Sequence, residues 1–397
     1  MPVGVFRRRL YRAAAAAAML LFALGLIFCG RETAAAAAAG IELCARVLIP
    51  SLFPFFVVSA LAVDTGLARF CGRALRGPMR LLFNVPGACA PAFALGLVGG
   101  YPVGAKTAID LYRGGLCSRA QAQRLLAFCN NSGPAFILGA VGGLFGSPMA
   151  GLLLYGSHIL ASVSVGILLR RWGGDPPPAD GGPDPRPQPP LPPAGRAFSR
   201  AVTGSFQQIL NICAFVIFFS VAIRLLCVTG ILPGAARALA ALAGLDRVFV
   251  EKLLSGLIEV TSGVYGLSGT AVSLPARLAA AAFMLGWAGL SVHCQVLNFI
   301  GESGLSCRPY VVGKILHSWL AALYTWLGAR LLPFDARTGP ALQRQLLALT
   351  SRGAGRCFRE ALLSALSVWL VLAGLGLVFT CQTRRNWYNN RKRGRIR

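Results

Sequence analysis

The chain has 397 residues, 55% of them hydrophobic and 13% charged, with a formal net charge of +26 and a mean hydropathy of +0.63. A soluble domain carries about twice that charged fraction, so the composition excludes an ordinary soluble enzyme and points to a polytopic membrane protein. The positive excess needs no nucleic-acid partner: Arg7-Arg8-Arg9, Arg170-Arg171, Arg384-Arg385 and the basic residues of 391–397 sit where the positive-inside rule places cytoplasmic ends, without the aromatic interleaving of a nucleic-acid groove.

Apolar runs near spanning length recur at residues 13–29, 41–63, 148–169, 208–232, 277–300, 311–332 and 361–381. With the broken runs between them they predict an all-α polytopic fold of roughly 8–10 membrane segments. Residues 1–40 hold a basic segment and a first apolar helix; the same layout fits a signal peptide. Residues 41–172 form a first membrane repeat. A Pro/Gly-rich linker occupies 173–196, a second repeat 197–335, and an amphipathic segment, a last membrane helix and a basic tail 336–397. The repeat is read from an offset near 160: Gly96-Leu97-Val98 against Gly256-Leu257-Ile258, and His158 against His317. The orientation of one copy relative to the other is open.

In the first repeat, Gly99-Gly100-Tyr101-Pro102-Val103-Gly104 interrupts the apolar sequence with breakers that leave no continuous spanning helix. Pro102 suits the first turn of a new helix, and Lys106 lies one turn in. Backbone donors, a helix dipole and an ammonium together predict an anion site at Gly100, Tyr101, Pro102 and Lys106. Asn130-Asn131-Ser132-Gly133-Pro134 repeats the break. Ser132 or Asn131 is a candidate N-cap, and the Asn130 and Asn131 amides are candidate substrate donors. An ordinary cytoplasmic loop is the competing reading of that stretch.

In the second repeat, Glu259 is the lone carboxylate of an apolar stretch, where a charge costs about 2.5–3.5 kcal/mol. It is a candidate coupling group or ion-pair partner for Lys106. Thr261 and Ser262 follow it as cap and site candidates. His293, Gln295 and Asn298 form a polar stripe with Ser291 beside it, and Ser291, His293 and Gln295 are site candidates; a histidine hydrogen-bonded between helices is the competing reading of His293. Twelve cysteines show no CxxC pair and no Cys/His cluster at zinc spacing, so no disulfide framework, metal site or cofactor is expected. No nucleophile elbow, paired-carboxylate set or phosphate loop appears, and the chain is expected not to be an enzyme.

At Pro50-Ser51-Leu52-Phe53-Pro54, Gly100-Tyr101-Pro102-Val103-Gly104-Ala105-Lys106, Asn130-Asn131-Ser132-Gly133-Pro134 and Gly289-Leu290-Ser291-Val292-His293 the chain resembles the YlbJ family of sporulation integral membrane proteins, which carry the nucleoside-recognition or Gate domain. The resemblance covers about residues 40–335. It implies an integral membrane protein of a spore-forming bacterium, in the cell or outer forespore membrane; the basic ends, by the positive-inside rule, are expected to keep both termini cytoplasmic. It also implies movement of dipicolinic acid from the mother cell toward the spore. The expected partners are a small anionic substrate and the lipid bilayer; whether the chain forms a homo-oligomer is open. A membrane scaffold for spore envelope or cortex assembly, and a nucleoside carrier, are the alternatives.

Overall fold

The computed structural model describes residues 3–64, 75–174 and 193–331. Most of the expected linker, and the expected last membrane helix with its basic tail, lie outside the described residues. Every regular element among the described residues is helical, as an apolar chain in lipid requires when each backbone donor must find its acceptor within the segment.

Helix α1 (Val3–Phe28) turns by 97° into α2 (Gly30–Leu43), and a π-helical turn at Cys44–Leu48 leads into α3 (Ile49–Asp64). The long helix α9 (Ala194–Val228) lies along α1 to α3, joined by the ring pairs Phe22–Phe218 at 5.4 Å and Phe53–Phe206 at 6.1 Å. These helices bracket the functional centre from one side.

The first repeat folds around a helical hairpin. After α4 (Arg76–Phe83), α5 (Ala90–Gly99) ends at Gly100 and α6 (Val103–Arg113) turns back beside it. The two arms press on one backbone group: a Cβ at Gly96 would lie 1.8 Å from the Cys129 carbonyl oxygen, and one at Gly104 1.9 Å from it. Only hydrogen fits there. That carbonyl belongs to the break between α7 (Arg119–Phe128), started by a Ser118–Gln121 capping box, and a π-helical segment at Ala135–Val141.

The second repeat builds the same device. Helix α10 (Ile231–Ala243) leads to α11 (Arg247–Ile258), which Asp246 caps through a 2.7 Å bond from the Phe249 N–H. It breaks at Glu259 and reverses as α12 (Val260–Gly266), with Gly263 against Gly256 where the first hairpin sets Gly104 against Gly96. A broken helix follows, α13 (Leu274–Trp287) and α14 (Gly289–Ser303), interrupted at Ala288 and Gly289 with φ of 77° and 75°. In both halves the hairpin tip meets the break of the other element. Gly100 faces Gly133, and Gly289 faces the Val260 N–H.

The remaining helices are α8 (Pro148–Leu168) and α15 (Arg308–Leu331). They cross through His158 and His317 and through Ser164 and Tyr324, whose hydroxyls are 3.0 Å apart. Among the described residues, three helices are long and apolar enough to span a membrane, or up to five if each bent pair counts as one span. The two halves do not own separate cores. One buried cluster joins Phe136 and Leu154 to Leu278 and Ala281, and the other joins Phe93 and Phe128 to Val292 and Tyr310.

Candidate functional site

The two hairpin tips and the two helix breaks converge on one cavity. Gly100 and Tyr101 come from the first tip, Ser132 and Gly133 from the first break, Glu259 and Thr261 from the second tip, and Ser291 and Gln295 from the second break. Leu52, Phe136 and Phe215 supply apolar wall. Seven residues expected at the site, Gly100, Tyr101, Ser132, Glu259, Thr261, Ser291 and Gln295, therefore share one surface although up to 195 positions separate them. The cavity measures about 60 Å³. That is less than half the ~150 Å³ of an apolar cavity that accepts benzene. This conformation accommodates a few waters, and a ring-sized ligand requires the tips to move apart.

Glu259 is the charged group in the cavity wall. It is an extended residue between two helices, with φ −139° and ψ 114°. One carboxylate oxygen accepts the Thr261 N–H at 2.9 Å and the other the Ser262 N–H at 2.6 Å. These charge-assisted bonds offset part of the cost of a carboxylate that is 1% exposed. Glu259 thus caps its own helix, and its expected ion pair with Lys106 does not form.

The break at 129–134 is buried and polar. The Asn131 amide donates to the Phe128 carbonyl at 3.0 Å, closing the end of α7. The Ser132 N–H donates to His158 Nε2 at 3.0 Å. Because that nitrogen accepts, a neutral His158 carries its proton on Nδ1. Neither Asn131 nor Ser132 caps the following helical segment through its side chain; Pro134 occupies the cap position. Both polar atoms of the Asn130 side chain lack a well-formed hydrogen bond, as do Ser132 Oγ and the Tyr101 hydroxyl.

The ammonium at this break is Lys314, from α15. It is 1% exposed, donates to the Asn130 carbonyl at 3.2 Å and stands 5.7 Å from the centre of the Tyr101 ring. It forms no ion pair among the described residues. His158, His293 and His317, which are all the histidines of the chain, are likewise buried. His293 shares a 2.8 Å hydrogen bond with the Tyr310 hydroxyl and lies behind the cavity wall.

The expected position of the positive charge is corrected accordingly. Lys106 is 59% exposed at its side chain and pairs with Asp110 at 2.9 Å on the outer face of α6, away from the cavity. Helical periodicity explains the difference: positions 104, 105 and 108 face inward, and 106 and 110 face outward. Pro102 precedes α6 as its N-cap rather than filling its first position, and it does not line the cavity; neither do Asn130, Asn131, Ser262 or His293. The chamber expected to be positively biased carries a carboxylate in its wall, with the ammonium one layer behind. Lys314 escaped the sequence reading although it is the one Lys, Arg, Asp or Glu between Arg308 and Arg330. A lone charge in an apolar stretch costs as much at Lys314 as at Glu259 and marks an interior position in the same way.

Comparison with known proteins gives two matches. The family described as "Gate: Nucleoside recognition" matches residues 45–167, the first hairpin and broken helix. The "Sporulation integral membrane protein YlbJ" of Bacillus subtilis (strain 168) is 34% identical over 307 residues, covering 72% of this chain and 75% of that protein. No solved structure matches.

Proposed function

The chain belongs to the family of the sporulation integral membrane protein YlbJ, and on that premise we propose that it is a carrier for a small organic anion, dipicolinic acid, moving it from the mother cell across the outer forespore membrane. The observation that supports transport is the meeting of two hairpin tips and two helix breaks, one of each from either half, at a single polar cavity. Interrupted helices of this kind expose backbone groups to a ligand at membrane depth, and their arms can tilt without unwinding a spanning helix.

The anionic substrate is supported by Lys314, buried at the first break without a carboxylate partner among the described residues. Moving a dianion out of a negative-inside cytosol is favourable by about 2.3 kcal/mol per charge per 100 mV, so the membrane potential suffices to drive efflux. Glu259 is the group through which a proton or cation would be coupled. The protein acts on its substrate by relocating it, with no bond made or broken.

The test is flux of labelled dipicolinate into proteoliposomes under an imposed potential, inside positive. Saturable uptake above empty vesicles is expected; none at any potential overturns the reading. The Gate match supports a second reading, a nucleoside carrier. Uridine that competes with dipicolinate, or that is itself moved, would favour it.

A further inference from the structure

Tyr101 connects the cavity with Lys314: it lines the cavity, and its ring centre stands 5.7 Å from Lys314 Nζ, which is not itself among the lining groups. On the residue whose carbonyl Lys314 binds, and on the next, both ends of the Asn130 side chain and Asn131 Oδ1 lack a well-formed hydrogen bond, with 2% and 0% of these residues exposed; the Asn130 side chain lies toward the Tyr310 hydroxyl, and the Tyr101 hydroxyl toward Ser132. Lys314 itself has three donors and one hydrogen bond, to the Asn130 carbonyl. Buried polar groups are normally satisfied, so exceptions next to the carbonyl that holds a buried lysine point to a ligand that would satisfy them.

The position of Glu259 sharpens the question. The cavity wall carries that carboxylate with its two backbone donors already used, so it offers no cation to an incoming anion. The hydroxyl and amide groups of Thr261, Ser291 and Gln295 can hold one carboxylate by neutral hydrogen bonds. A second carboxylate on the same ligand finds its charge partner only at Lys314.

Resting on the carrier reading above, we infer that Lys314 is the specificity-determining residue that separates dicarboxylates from monocarboxylates. It receives the second carboxylate once the Tyr101 ring swings aside, and the Asn130 amide donates to the same group. The swing also supplies room that the closed cavity lacks. A monoanion occupies the outer position without reaching Lys314.

The experiment uses the full chain in proteoliposomes and in detergent, with dipicolinate and isophthalate as two-carboxylate probes and picolinate and benzoate as one-carboxylate probes. For the wild type, the dicarboxylates are expected to raise the melting temperature and compete for flux at lower concentration. Lys314→Gln is expected to weaken the dicarboxylates about 10- to 100-fold, the loss of one charge-assisted hydrogen bond, and the monocarboxylates about twofold or less by the same reasoning. Lys314→Arg keeps the preference in part. If Lys314→Gln does not fold, Lys314→Met removes the burial of a charge with an apolar side chain of similar length and serves in its place. Equal weakening of both classes, or of neither, overturns the assignment while leaving transport intact. Absence of any dicarboxylate effect on the wild type overturns the carrier reading with it.

Discussion

His317 donates from Nε2 to the backbone carbonyl of His158 at 3.1 Å, and the two imidazole rings lie 4.3 Å apart. The pair joins near-equivalent positions of the two repeats, and His158 in turn receives the Ser132 N–H. The break that shapes the cavity is therefore anchored on the crossing of α8 and α15. His158→Phe should leave the buried Ser132 donor unmatched and cost about 1–3 kcal/mol. A lowered melting temperature in detergent checks it. Because the residues are in contact, the double variant with His317→Phe should cost less than the sum of the single changes.

Close backbone approach makes a second prediction. Gly96→Ala would put a methyl group against the Cys129 carbonyl, a backbone atom that cannot step aside. A loss of about 1–3 kcal/mol is expected. Gly256→Ala meets the Met284 thioether first, which can turn away, so a smaller loss is expected there. Gly139 has nothing within 4 Å of its would-be Cβ, so Gly139→Ala should stay within about 0.5 kcal/mol of wild type. Thermal or denaturant melts of the three variants rank them.

Glu259→Gln keeps an acceptor for one of the two N–H groups at 2.9 and 2.6 Å and loses the charge. The expected loss is about 1.5–3 kcal/mol, with a matching fall in dipicolinate flux as the second hairpin tip loosens. A variant with wild-type melting would show that the cap contributes nothing to stability.

Lys106→Ala should leave flux unchanged. Its side chain is exposed and its partner Asp110 sits one turn away on the same helix face, a pair worth about 0.3–0.5 kcal/mol. Flux reduced as severely as by Lys314→Gln would return Lys106 to the site and displace Lys314 from it.

Apolar runs, proline and glycine breaks, and a carboxylate inside an apolar stretch are local properties. From them the sequence alone determined an α-helical membrane protein and two halves each with a reversal and an interruption, and it named Gly100, Ser132, Glu259 and Gln295, which line one cavity. The reason is that lipid permits non-helical backbone only where protein or a cavity covers it, so the breaks themselves mark the interior. Helical periodicity puts Lys106 on the outer face of α6, and Lys314 is a lone charge in an apolar stretch; that Lys314 reaches the Asn130–Ser132 bend was a matter for the tertiary structure, which packs α15 against it. The sharing of cores between halves was likewise decided there, because it depends on crossings such as His158 with His317 that connect residues 159 positions apart. No local pattern encodes a contact of that range.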